Sequence, residues 1–111
     1  MTEPRLASNV VVSALLRKTN VTGGNAAVIA RGDDIAGAIL LLLVDRGKVM
    51  GLRERIWRFE GHYVIEPTGP DPAKGEAEIN AYIDRRRRSD PDLWVVELDH
   101  PDAEALAAGL V

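Results

Sequence analysis

Within one stretch, Asp90-Pro91-Asp92-Leu93-Trp94-Val95-Val96-Glu97-Leu98-Asp99-His100, the chain sets carboxylates and an imidazole around an apolar run. With Asp102 just beyond, these are groups from which a divalent-cation site or an acid–base centre could be built. Spacing narrows the choice. Residues 93–98 read as a strand apolar on both faces, which at about 3.3 Å per residue sets Asp92 and Glu97 roughly 16 Å apart. Those two cannot share an ion. Glu97 and Asp99 point to one side at the strand end and could, but magnesium takes most of its ligands from water and substrate phosphate, and two carboxylates alone hold it weakly. The acids are therefore assigned to turns and strand ends, and no metal or other cofactor is expected.

Glu54 is the other carboxylate of interest, because alternation places it on an apolar strand face between Leu52 and Ile56, opposite Ile39. A buried carboxylate must be neutralised, paired with an arginine or set near an edge. The candidate cations are Arg53 and Arg55 on the same strand and the run Arg85-Arg86-Arg87-Arg88. On a helix that run spreads around a full turn. It matches the negative end of the helix dipole, with Asp84 one turn before Arg88 as an i,i+4 partner. Glu54, Glu97, Asp99, Arg53, Arg55, Arg86 and Arg87 are thus the candidate ligand or partner contacts, with no catalytic residue assigned.

Other chemistry is excluded by composition. The 111 residues contain no cysteine, so disulfides, thiolate nucleophiles and cysteine zinc sites are out. No Gly-x-Ser-x-Gly elbow, phosphate loop or dinucleotide glycine pattern occurs. His100 would need the fold to bring Ser89 or Glu97 to it. Net charge is −3, so no global positive field favours nucleic acid or an anionic membrane. The longest apolar run, 38–44, is far shorter than the ~20 residues of a spanning helix, and residues 1–5 lack signal-peptide order. A cytoplasmic single domain over residues 1–111 is expected.

Positioning these residues requires an α+β fold. A helix capped by Ser8 runs to about Thr22 and stops at Gly23-Gly24, with Val10, Val11, Ala14, Leu15 and Leu16 on its inner face. Glycine turns at Gly32-Asp33, Arg46-Gly47 and Glu60-Gly61 separate strands of about 26–31, 35–45, 48–58 and 62–67, an antiparallel four-stranded meander. Two-residue loops would pair Val44 with Val49, Leu43 with Met50 and Leu41 with Leu52. Across the next hairpin they pair Ile56 with Ile65, Trp57 with Val64 and Arg55 with Glu66. One face then carries Ile39, Leu41, Leu43, Met50, Leu52, Ile56 and Ile65, the other Leu40, Leu42, Val44, Val49, Trp57 and Val64. A strand apolar on both sides calls for cover on both faces. A helix over about 74–89, striped by Ile79, Tyr82, Ile83 and Arg86, is stopped by Asp90-Pro91. The fifth strand follows and is expected beside the meander in one mixed sheet with helices over both faces, a two-layer arrangement being the alternative. Asp102 caps a short helix through Leu106.

This order of segments resembles the alphaproteobacterial family known as domain of unknown function 1491. The matching pieces are Arg5-Leu6, Ser13-Ala14-Leu15 with Arg17, Gly23-Gly24, Gly32-Asp33, Gly37-Ala38 and above all the block from Asp90 through Leu98. The arginine run and the Val10-Val11-Val12 triplet are not part of that pattern. The resemblance implies a bacterial, soluble, single-domain protein and assigns no activity or site to any position. From the residues, the leading expectation is a non-catalytic interaction or regulatory domain, with an unidentified protein or a second copy as partner. The alternatives are a small ligand-binding protein or enzyme using the carboxylates with an arginine, and weak nucleic-acid binding through the arginines.

Overall fold

The computed structural model describes residues 6–110; residues 1–5 and 111 lie outside it, and with them Arg5 and the order of the first residues. The elements run α1 (Ser8–Val21), β1 (Asn25–Ala30), β2 (Ile39–Asp45), β3 (Lys48–Arg58), β4 (His62–Thr68), α2 (Glu76–Ser89), β5 (Trp94–Asp99) and α3 (Ala103–Ala108). A short 3-10 turn, Pro72–Lys74, precedes α2, which starts at Glu76 where about Lys74 was expected. The α+β order read from the sequence is the order observed. No helix among the described residues is long and apolar enough to cross a membrane.

All five strands join one mixed sheet in the order β1-β5-β2-β3-β4. β5 runs parallel to β2 and antiparallel to β1. The meander is therefore β2–β3–β4, and β5 lies between β1 and β2 rather than beside them. The reason is local. Gly32-Asp33 does not close a hairpin but opens an arch, residues 31–38, that crosses the start of β5. The Asp33 N–H donates to the Asp92 carbonyl at 3.0 Å and the Trp94 N–H to that of Ala38 at 2.8 Å. Asp33 Oδ2 accepts from the N–H groups of Ile35 and Ala36, folding the arch tip, so β2 begins at Ile39 instead of 35. At Gly32 and Gly37 a Cβ would collide with the Asp92 carbonyl, so only glycine lets the arch lie this close.

β2 is buried on both sides. Ile39, Leu41 and Leu43 pack with Val11, Val12 and Leu15 of α1, Leu106 of α3 and Trp94, Val96 and Leu98 of β5. Leu40, Leu42 and Val44 pack with Ile79 and Ile83 of α2 and with Leu93 and Val95. Helices thus cover both faces, as the doubly apolar strand requires.

Two registers differ from expectation. Val44 faces Val49, but Met50 is then an extra residue and Leu43 faces Gly51, Leu42 faces Leu52 and Leu40 faces Glu54. This bulge turns Leu52 and Glu54 from the α1 side to the α2 side. In the second hairpin Phe59, Glu60 and Gly61 form the loop, with Gly61 at φ +97°, and Ile56 faces Val64, Trp57 Tyr63 and Arg55 Ile65. The second slip cancels the first for β4, so Ile65 still packs on the α1 side.

The helix ends also differ. Ala7 occupies the cap of α1. Ser8 is buried in the first turn, where Oγ donates to the Gly37 carbonyl at 2.7 Å and ties the helix to the arch. The inner face of α1 is Ser8, Val11, Val12, Leu15 and Thr19. Val10 is 50% exposed and Ala14 also faces outward. Asp102 precedes α3 without a side-chain cap. Its N–H instead donates to His100 Nδ1.

Candidate functional site

The bulge at Met50 has one chemical consequence: it delivers Glu54 to the helix that carries the arginine run. Arg86 sits on the inner stripe of α2, one turn beyond Tyr82 and Ile83. Its Nη1 and Nη2 donate to Glu54 Oε1 and Oε2 at 2.7 and 2.9 Å. Nη1 also donates to the Tyr82 hydroxyl at 3.0 Å, and that hydroxyl shares a 2.7 Å hydrogen bond with Thr68 Oγ1 of β4. The two charged side chains are 24% and 18% exposed. The hydrogen bonds that Arg86 donates to Glu54 raise the Arg86 pKa above the usual arginine range, outweighing burial, with Tyr82 adding to it. Glu66 lies across from Glu54, and Arg58 pairs with it, so the two carboxylates do not face each other uncompensated.

The remaining candidates are dispersed. Arg53 and Arg55 lie on the opposite face of the sheet and do not extend the α2 arginines into one patch. Arg53 Nη2 reaches Glu104 of α3 at 3.2 Å. Arg55 is buried at 8% exposure, stacked on Tyr63 at 3.4 Å, with Nε donating to the Leu110 carbonyl at 3.1 Å. Burial pulls its pKa below the usual arginine value, against the raising influence of Tyr63.

Asp99 Oδ1 and Oδ2 accept from the N–H groups of Arg46 and Gly47, holding the β2–β3 turn, where Arg46 has φ 52°. Glu97 lies beside it in a cleft of about 250 Å³ with Glu76, Asn80 and Gly47. Among the described residues no group of three or more histidines or acids is placed to hold a metal ion. His100 is buried and meets neither Ser89 nor Glu97 in a hydrogen bond. With Nδ1 accepting from Asp102, Nε2 is left to donate to the Thr22 carbonyl at 3.0 Å, which pins the end of α1 to β5.

The family model described as "Protein of unknown function (DUF1491)" matches residues 6–108. The chain belongs to the DUF1491 family. It is similar to an NMR structure of a DUF1491 family protein from Caulobacter crescentus CB15, at 32% identity and TM-score 0.78, covering 95% of this chain and 94% of that one. A crystal structure of a DUF1491 family protein from the same organism matches at 33% identity and TM-score 0.77, over 92% and 94%. The solution structure of protein Atu0922 from A. tumefaciens matches at 31% identity and TM-score 0.74, over 95% and 94%. Among curated proteins, none matches.

In this DUF1491 chain the arginines not used by Glu54 meet a group that the sequence did not connect to them. Arg87 and Arg88, with Asp84 and Asp90, line a cleft of about 360 Å³ whose other wall includes Arg31 from the arch and whose apolar lining is Pro91 and Leu93. The Asp84–Arg88 pair expected at i,i+4 is not formed. The side chains of Arg87 and Arg88 make no hydrogen bond or ion pair among the described residues. Arg31 was hidden by distance in sequence: only the arch over β5 brings it to the end of α2.

Proposed function

We propose that this protein is a non-catalytic interaction domain that pairs with a second copy of itself through the free edge of β1. The observation that carries the reading is the character of that edge. β1 is the last strand of the sheet. Its sequence, Asn25-Ala26-Ala27-Val28-Ile29-Ala30, has no charge, and Val28 and Ile29 are 39% and 46% exposed. Isolated proteins blunt such edges with charges, prolines or bulges. The opposite edge, β4, does so with Pro67 and the Arg58–Glu66 pair. Of these devices β1 has a bulge, at Ile29, but neither charge nor proline; the N–H of Ala26 is met by Asn20 Oδ1 at 3.3 Å. Antiparallel pairing of two copies about a two-fold axis sets uncharged residues against uncharged residues and meets no like-charge penalty. The positions of Asp99, Glu54, Arg53, Arg55 and His100 are consistent with this reading, since each holds elements of the fold together.

A strand pair alone falls below the roughly 1,200 Å² of a stable interface, so a weak dimer is expected, dissociating in the micromolar range or above. Sedimentation velocity from about 1 µM to about 500 µM should show monomer passing to dimer. Ile29→Lys should keep the chain monomeric throughout. A wild-type chain that stays monomeric at the highest concentration, or a dimer indifferent to Ile29→Lys, overturns the reading.

A further inference from the structure

We propose that the cleft between the end of α2 and the arch binds the phosphate of a small phosphomonoester. The site does not depend on self-association through β1. Three arginines line it from two elements, Arg87 and Arg88 from the last turn of α2 and Arg31 from the arch. Guanidinium forks match phosphate oxygens in pairs, and several forks converging on a dianion give the strongest form of that contact.

The donors are available. Arg87 and Arg88 are exposed, and their side chains have no partner among the described residues. Arg31 spends one nitrogen on Asp34, and its guanidinium lies 5.1 Å from the Trp94 ring centroid. Trp94 is itself fixed by its Nε1–H, which donates to the Asp33 carbonyl at 2.7 Å. The cleft wall is thus anchored to a buried residue of the central sheet and is partly formed before any ligand arrives.

The same lining defines the size and character of the ligand. A volume of about 360 Å³ is at the small end of metabolite sites. Three arginines against two aspartates, Asp84 and Asp90, leave the cleft with a small net positive charge. That suits one phosphate and not the run of phosphates in a polynucleotide, and the net charge of −3 acts in the same direction. The aspartates are acceptors for hydroxyl groups, so a phosphate on a hydroxyl-bearing carbon skeleton satisfies both kinds of group. Asp90 Oδ1 already accepts the Asp92 N–H at 3.1 Å, which leaves its other oxygen for the ligand.

The test is a titration of the full, isotope-labelled chain with inorganic phosphate and with glycerol 3-phosphate, read by NMR at the arginine Nε–H groups. Saturable shifts at Arg31, Arg87 and Arg88 are expected, with glycerol 3-phosphate binding more tightly than inorganic phosphate. The double substitution Arg87→Ala with Arg88→Ala should weaken binding by about tenfold or more. Arg85→Ala, which removes a neighbouring charge outside the cleft, should leave binding unchanged. Absence of saturation overturns the proposal. So does equal weakening by Arg85→Ala, which would mark a diffuse field in place of a site. Tighter binding of single-stranded DNA that grows with its length overturns the small ligand in favour of an extended polyanion surface.

Discussion

Arg86 and Glu54 form a two-pronged ion pair, at 2.7 and 2.9 Å, that bolts the C-terminal half of α2 to the middle of β3. Both side chains are largely enclosed, so removing one partner leaves a partly buried charge without compensation. Arg86→Ala should cost about 2 kcal/mol, between the values for exposed and fully buried pairs, or roughly 8 °C in Tm for a chain of this size. Thermal unfolding of Arg86→Ala, Glu54→Gln and the double variant should show a coupling of about 1 kcal/mol or more. Additive losses would mean the two groups act independently. The pH dependence has a definite sign. The folded pKa of Arg86 is raised, so its contribution is fully present below the ordinary arginine value and is lost only as pH rises through the still higher folded value. The deficit of Arg86→Ala should therefore be the same at about pH 7 and about pH 9.

Gly32 and Gly37 lie against the Asp92 carbonyl where the arch crosses β5. An added methyl there meets backbone, which cannot swing aside as a side chain would. Gly32→Ala should lower stability by about 3 kcal/mol, the scale of core overpacking. Gly47→Ala serves as the comparison: a Cβ at Gly47 meets open space, and only its φ of +80° opposes the change. Equal melting temperatures for the two variants would remove the close approach as the reason for glycine at 32.

Arg55 links the sheet to the end of the chain through the Leu110 carbonyl and the face of Tyr63. Truncation to alanine gives up a charged hydrogen bond and a close stacking contact, about 2 kcal/mol together. Hydrogen exchange should show the loss first at the end of α3, with β2 little affected, because Arg55 is the tie to Leu110. A uniform rise in exchange across the sheet would assign Arg55 a general core role instead.

Much of the fold was legible because it follows from local rules. The apolar run 39–44 demanded cover on both faces, and Ile79, Tyr82, Ile83 and Arg86 marked the inner stripe of α2 at helical spacing. That Glu54 had to be neutralised, paired with an arginine or set near an edge was legible as a requirement of burial, and the structure takes the second course. Which arginine it would be was not legible. That depended on the bulge at Met50, for which Gly51 inside a strand was the available signal. Because strand side chains alternate, one extra residue exchanges the two faces. It moved Glu54 from the α1 side of the sheet to the α2 side, where Arg86 lies.

The amino-acid order by itself determined the kind and sequence of elements, since helix stops, periodicity and turn chemistry act within a few residues. The insertion of β5 between β1 and β2, the uncharged free edge of β1 and the meeting of Arg31 with Arg87 and Arg88 were decided by tertiary structure alone. Each joins segments distant in the chain, where strand pairing and close backbone approach govern, and no local pattern encodes such a contact.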